Sequence, residues 1–392
     1  MPHYRIKDWR NAILLHLSNL GGYLIWGWRR IVEPDLSSLA AHHILVVQLD
    51  EFGDVLLSTP ALSYLRKLFP AAHITVLLRK PGYEALNCNS NIDRLVLVDL
   101  PRLNASFKGL AADLRRINAV TDSVKKELGS VIFDLGIDLR SDFRTIFLLH
   151  KLPVKIRVAQ AIRGGGFWLT HIAPYRGVEH EVERKIGIVQ DLRQGDFELA
   201  DKRLQITVGK TEEVAAYEIL KVHGIRQGDP FAVIHPFAGW REKEWPIDRF
   251  AALIDYLRQR YGLKSIVIGS TDENARAIEL DSLSKSGVIN LAGRTNIRES
   301  AVVIGAARLF IGNDSGPMHI ASAMQTPTIA LFGQNTPLRY GPWQNRNVTI
   351  YHQVECSPCA QTTCKRHPSC LELITLDEVK GAVDRVLECQ TD

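Results

Sequence analysis

Asp314, Ser315 and Gly316 stand in a polar turn, Gly312-Asn313-Asp314-Ser315-Gly316-Pro317-Met318-His319, between apolar runs at 309–311 and 328–332. An apolar strand, a tight turn and a proline suited to a first helical turn leave free backbone N–H groups at the positive end of a helix dipole. Such a cup suits a phosphate group. His319 falls just inside the expected helix, where it adds a donor, although a plain polar helix residue reads the same way. A second strand-turn-helix unit lies far upstream. Its buried run 44–49 leads into Asp50-Glu51-Phe52-Gly53, and Asp54 opens a helix. Carboxylates in this turn would repel a phosphate and suit a group that removes a proton. One unit is therefore built for an anion and the other for a base, which suggests two domains facing one cleft.

Four cysteines, Cys356, Cys359, Cys364 and Cys370, form C-x2-C-x4-C-x5-C, while Cys88 and Cys389 stand apart. Thiols this close read as a structural zinc or iron site, with free thiols or a disulfide as the alternatives. Arg140 and Arg144, in Asp-Leu-Arg-Ser-Asp-Phe-Arg, follow a strand pattern and suit an anionic acceptor. Arg163 and the glycines after it suit the same task. Salt bridges to Asp138 or Asp142 are the competing explanation.

The elements that must position these residues repeat a simple theme. At 392 residues the chain is long enough for two domains with full cores. Its 46% hydrophobic and 23% charged content is that of an ordinary globular protein. The net charge of +5 fits an anionic partner, but no basic stripe with interleaved aromatics points to nucleic acid. Strand and helix patterns alternate over 43–200: strands at 73–78, 94–98, 131–138 and 154–158, helices at 104–128 and 142–150. Gly164-Gly165-Gly166 reads as a flexible loop, and 191–210 as a polar link. The alternation restarts over 201–375 with strands at 231–235, 264–269 and 288–291 and helices at 247–261, 272–283 and 297–307. This is the signature of an α/β chain with two parallel sheets, each binding ligands at its strands' carboxyl ends. Residues 1–42 differ. Between Asn11 and Trp28 there is no charge, yet Leu, Ile and Trp are frequent and basic residues flank the span. No cleavage site of signal-peptide type follows. The span 9–32 reads as a helix lying peripherally in a membrane surface, or as one packed on the first domain.

Four motifs in order resemble the inverting glycosyltransferase family of the lipopolysaccharide ADP-heptose heptosyltransferases. They are 48–56 (Gln-Leu-Asp-Glu-Phe-Gly-Asp-Val-Leu), 235–246 (His-Pro-Phe-Ala-Gly-Trp-Arg-Glu-Lys-Glu-Trp-Pro), 290–295 (Asn-Leu-Ala-Gly-Arg-Thr) and 312–319. The resemblance implies a GT-B fold of two Rossmann-like domains, with the acceptor on the first and a nucleotide-sugar donor on the second. It implies a last helix, within 376–392, crossing back to the first domain. It assigns the base to Asp54, the donor-phosphate lysine to Lys243, and the diphosphate turn to Asp314, Ser315, Gly316 and His319. The nucleoside-binding acid is Asp272 or Glu273.

Inverting transfer needs a carboxylate to take the acceptor hydroxyl's proton. Asp54 is the candidate, with Asp50 and Glu51 behind it. A helix N-cap is the competing role for Asp54, and an ordinary exposed loop residue that for Lys243. Asp314 is expected to cap its helix or contact the sugar. No Asp-x-Asp occurs, so the leaving diphosphate is expected to be met by Lys243, His319 and helix N–H groups without a catalytic metal. The expected enzyme is cytoplasmic and acts on a lipopolysaccharide-type glycan or glycolipid. Alternatives are another sugar nucleotide, a protein acceptor, a non-hydrolysing sugar-nucleotide epimerase, or a binding protein. An NAD oxidoreductase is disfavoured because no G-x-G-x-x-G follows either first strand.

Overall fold

The computed structural model describes residues 36, 39–101, 110–177, 180–193, 201–344, 346–357, 359, 364 and 366–388. The arm expected over 1–42, with its membrane contact at 9–32, lies outside these residues apart from 36 and 39–42. No described helix is long and apolar enough to cross a membrane. The chain divides into two compact units, Met1–Lys202 and Arg203–Asp392.

The first unit holds a parallel sheet of β1 (His43–Gln48), β2 (His73–Leu78), β3 (Arg94–Leu97), β4 (Phe133–Asp138), β5 (Val154–Ala159) and β6 (His171–Ile172). Their order is β3-β2-β1-β4-β5-β6. The second unit repeats it with β7 (Phe231–His235), β8 (Lys264–Val267), β9 (Ile289–Asn290), β10 (Leu309–Asn313), β11 (Thr328–Phe332) and β12 (Asn347–Tyr351), ordered β12-β11-β10-β7-β8-β9. The central strands read as unbroken apolar runs because both faces are covered. In β1 every residue after His43 is buried. Each order reverses once, between β1 and β4 and between β7 and β10. At such a switch point the connections leave to opposite sides and open a crevice at the strands' carboxyl ends. The Asp54 turn follows β1, and the Asp314 turn follows β10.

Local structure departs from expectation in three places. The helix after β1 starts at Phe52 rather than Asp54 and stops at Leu56; a second helix spans Thr59–Leu68. The Ser58 and Thr59 hydroxyls donate to the carbonyls of Val55 (2.5 Å) and Leu56 (2.7 Å), closing the first helix's open end. The glycine loop at 164–166 is anchored: Phe167 and Trp168 are buried against Phe143. A helix at Glu181–Gln190 was not foreseen, because charged Arg184 and Lys185 stand on its buried face among Val182, Ile186 and Val189. The last helix, Leu376–Glu388, was expected to cross back to the first domain. It buries its apolar stripe in the second unit. Val379, Ala382, Val383, Val386 and Leu387 recur at i, i+3, i+4, i+7 and i+8 and join Leu253, Ile254 and Leu257 in that core. Each large side chain in the stripe contributes roughly 1.5–3 kcal/mol of burial.

Candidate functional site

At the first switch point, buried Gln48 ends β1 and folds the next turn back on the strand. Its Nε2 donates to Asp50 Oδ2 at 3.1 Å and to the Asp54 main-chain oxygen at 3.3 Å. Arg140, just past β4, donates from Nη1 to Asp50 Oδ1 at 2.5 Å. From the helix Glu181–Gln190, Lys185 Nζ donates to the same Asp54 oxygen. The Asp54 carboxyl itself has no hydrogen-bond partner among the described residues. It is not an N-cap: Glu51 holds that position, and its own side chain makes no cap bond. The Glu51 carboxylate is instead taken by Arg79 at 2.6 Å. Burial raises the Asp54 carboxyl to about 6, helped by Asp50 and Glu181 and opposed by Lys185 and Arg140. A carboxylate poised there suits proton abstraction near neutrality.

The arginines of this unit are placed differently from expectation. Arg144 is 3% exposed and forms a fork on Asp142, Nε to Oδ1 at 2.7 Å and Nη2 to Oδ2 at 2.9 Å, with Nη1 on Asp113 at 3.1 Å. Asp142 also caps the helix Phe143–Lys151. Arg140, 9% exposed, is held by Asp50. Both guanidinium groups therefore serve buried ion pairs rather than an incoming anion. Arg163 is the one of the three that reaches solvent, at 29%, with Asp142 3.7 Å away. Asp138 ends β4 and accepts from Thr145 Oγ1 (2.7 Å) and Arg140 N (3.0 Å). Burial raises it to about 7 against those bonds. It has no exposed surface and ties the strand end to the next helix.

At the second switch point β10 runs beside β7 with Gly312 opposite His235. Only glycine fits there: a Cβ would lie 2.9 Å from the His235 carbonyl oxygen and 3.1 Å from the Phe310 ring. His235 ends β7, and its Nδ1 lies 3.0 Å from Ser315 Oγ. Its Nε2 is 3.9 Å from Glu273 Oε2. Burial pushes the Glu273 carboxyl up, but His235 and the Ser270 donors outweigh it and hold it at about 2. Of the two candidate acids, Glu273 thus faces the strand end, while Asp272 is exposed. Ser315 is the N-cap of the helix Gly316–Ala323 but makes no cap bond with its side chain. Pro317 has no N–H and the Met318 N–H donates to Ser315 O at 3.2 Å, so in that first turn it is the Gly316 N–H that is left for another acceptor. His319 is buried on the same helix.

Asp314 does not cap this helix either. Its Oδ2 accepts from Lys243 Nζ at 2.7 Å and from Asn335 Nδ2 at 2.6 Å. Lys243 is 18% exposed, and among the described residues Asp314 is its one side-chain partner, so part of its donor capacity remains. Asn313 staples the lysine loop to β10. Its Oδ1 accepts from Trp245 N at 3.1 Å, and its Nδ2 donates to Pro236 O at 2.7 Å. Asn313→Ala is expected to orphan both main-chain groups, at about 1–3 kcal/mol each, read as a lower denaturant midpoint. His235, Asn313, Asn335 and Lys185 had been given no role from sequence. His235 and Asn313 lie within quoted motifs; nothing local marks Lys185.

The four clustered cysteines line one cavity of about 360 Å³ with Glu242 and Gln334. Cys359 N donates to Gln334 O at 2.9 Å. Burial raises the Cys370 thiol, and Cys359 and Cys364 add to it. None of the described cysteines is in a disulfide. Among the described residues no three His, Cys, Asp or Glu side chains are set to hold a metal ion. As placed, the thiols share a cavity but do not form a coordination shell.

A family model described as "Glycosyltransferase family 9 (heptosyltransferase)" matches residues 121–369. The chain is 30% identical over 347 residues to lipopolysaccharide heptosyltransferase 3 of Escherichia coli K12, covering 86% of this chain and 95% of that protein. It superposes with TM-score 0.72 on a glycosyl transferase family 9 structure from Veillonella parvula, 25% identical and covering 91% and 99% of the two chains. An ADP-heptose lps heptosyltransferase II from E. coli matches with TM-score 0.66, 19% identity and coverage of 89% and 100%.

Proposed function

The chain belongs to glycosyltransferase family 9, the heptosyltransferases, and on that premise we propose that it moves a heptose from ADP-heptose to a lipopolysaccharide-type glycan, inverting the anomeric centre without a catalytic metal. Its two six-stranded parallel sheets have the GT-B architecture of heptosyltransferase structures. The observation that carries the reading is the Asp54 carboxyl: half-buried, uncommitted to any hydrogen bond among the described residues, and raised to about 6 at a sheet's switch point.

In this reaction the acceptor hydroxyl attacks the anomeric carbon from the face opposite the diphosphate. The new C–O bond forms as the bond to the leaving phosphate oxygen breaks. Asp54 takes the hydroxyl proton. Charge growing on the diphosphate is met by Lys243, by the N–H of Gly316 at the helix start, by the Ser315 hydroxyl, and by His319. Asp314 holds Lys243 in register, and Glu273 serves the nucleoside. With Arg140 and Arg144 committed to buried pairs, contact with an anionic acceptor falls to Arg163. Residues 9–32 would rest on the inner membrane surface from the cytoplasmic side.

Asp54 must be ionised to act, so its raised pKa sets the sign of the pH dependence. kcat/KM is expected to fall about tenfold per pH unit below pH 6 and to level off above it. A profile flat down to pH 4.5 would remove Asp54 as the base. Turnover of ADP-heptose on a heptose-bearing core acceptor is expected to survive EDTA. Restoration of activity only by added divalent cation would defeat the metal-independent reading. A zinc or iron ion held by Cys356, Cys359, Cys364 and Cys370 would be structural and apart from this chemistry. Elemental analysis of purified protein decides between about one ion per chain and four free thiols.

A further inference from the structure

Lys185 is 1% exposed, an uncommon place for an ammonium. It interrupts the apolar face of the helix Glu181–Gln190, where Val182, Ile186 and Val189 are buried. Its Nζ has one hydrogen-bond partner among the described residues, the main-chain oxygen of Asp54. A methionine or leucine would fill the same space without the cost of burying a charge. The neighbourhood shows what the charge answers. Asp54 is faced by Asp50 from its own turn, by Arg140 from the end of β4, and by Glu181 and Lys185 from the helix. Arg140 is already committed to Asp50 at 2.5 Å, and Arg184 to Glu181 at 2.7 Å. Lys185 is the one cation of the group without a carboxylate bonded to it.

We propose that Lys185 is a positioning residue for Asp54: its buried ammonium pins the Asp54 turn through the main-chain carbonyl and supplies the positive charge against which the Asp54 carboxylate stays ionised. This rests on the reading of Asp54 as the base for its catalytic meaning, but its electrostatic part stands alone. Burial and Asp50 raise Asp54, and Lys185 is the largest influence in the other direction. Burial in turn lowers the Lys185 ammonium, and Asp54, Asp50 and Glu181 pull it back up. Each group keeps the other charged. Without Lys185, more of the Asp54 carboxyl would be protonated at neutral pH, and less of it could accept a hydroxyl proton.

The test is a double-mutant cycle in thermal melting across pH 3.5 to 8.5, which needs no substrate. Asp54 binds its proton more tightly folded than unfolded, so its ionisation opposes folding as pH rises. The melting temperature of Asp54→Asn should match wild type near pH 4 and exceed it above about pH 6, where the gap levels off. In a Lys185→Gln background, which keeps a donor for the carbonyl but removes the charge, the gap should begin near the same pH, grow larger and level off about one pH unit higher. Lys185→Arg should return it towards the wild-type position. Lys185→Met serves as the second uncharged background. A gap of the same size that levels off at the same pH with and without the charge, or an arginine variant behaving like glutamine, overturns the proposal. Where turnover is measured, the acid limb of kcat/KM in Lys185→Gln should move upward in step. A uniform fall at every pH would mark Lys185 as structural only. Undiminished turnover by Asp54→Asn would defeat the base reading while leaving the melting cycle to decide on Lys185.

Discussion

Asp54→Asn is expected to lower kcat by about 10²–10⁴-fold, the range for loss of a general base, with ADP affinity by calorimetry unchanged. The substitution is close to isosteric. It removes no hydrogen bond of the carboxyl among the described residues, and the two bonds to Asp54, from Gln48 and Lys185, go to the main-chain oxygen and survive it. The fold should therefore persist, and with it the second unit's donor site. The variant should also be more stable than wild type above pH 6, because an unfavourable buried charge is gone. Loss of stability with loss of ADP binding would show that Asp54 supports the structure instead. The opposed effects expected here, more stability and less turnover, are what a strained functional group produces.

Lys243→Met is expected to cost about 10²–10³-fold in kcat, the range for removing one charge-stabilising donor, together with a clear loss of ADP affinity in EDTA. Methionine keeps the length of the side chain and its apolar stem, so the loop stapled by Asn313 to Trp245 and Pro236 should hold. The variant leaves Asp314 with Asn335 as its side-chain partner at 2.6 Å. An uncompensated carboxylate would then face the turn meant for a diphosphate, which adds repulsion to the lost attraction. Lys243→Met/Asp314→Asn should recover part of the ADP affinity by removing that repulsion. If Lys243→Met binds ADP as wild type does, Lys243 is a structural partner of Asp314 and the diphosphate is held elsewhere.

The turns that carry such residues have local signals, but the roles of Asp54 and Lys243 came from the resemblance. Strand, tight turn and helix start occur within a dozen residues around Asp54 and around Ser315, whereas pattern alone also allowed a helix cap for Asp54 and an exposed loop residue for Lys243. The apolar runs of β1, β7 and β10 and the spacing of the stripe in the last helix are equally local, so both sheets and that helix were placed close to where they stand. What could not be read locally was whatever depends on which surfaces meet. Arg144 was offered to an acceptor, but Asp113, 31 residues away, claims it together with Asp142. An amphipathic stripe states that the last helix must be buried and not against what.

The sequence by itself determined two Rossmann-like halves, a polar Asn-Asp-Ser-Gly turn in one, a carboxylate-bearing turn in the other, and the residue types available to each. Backbone preference and hydrophobic period act over a few residues and can be read there. Only the tertiary structure decided that Lys185 reaches Asp54 across 131 positions, Lys243 reaches Asp314 across 71, and His235 reaches Ser315 across 80. Charges so far apart in the chain meet only when sheet order and helix packing bring their elements together. The same burial that brings them together also removes the water that would have screened them, and so sets the carboxyl of Asp54 near 6.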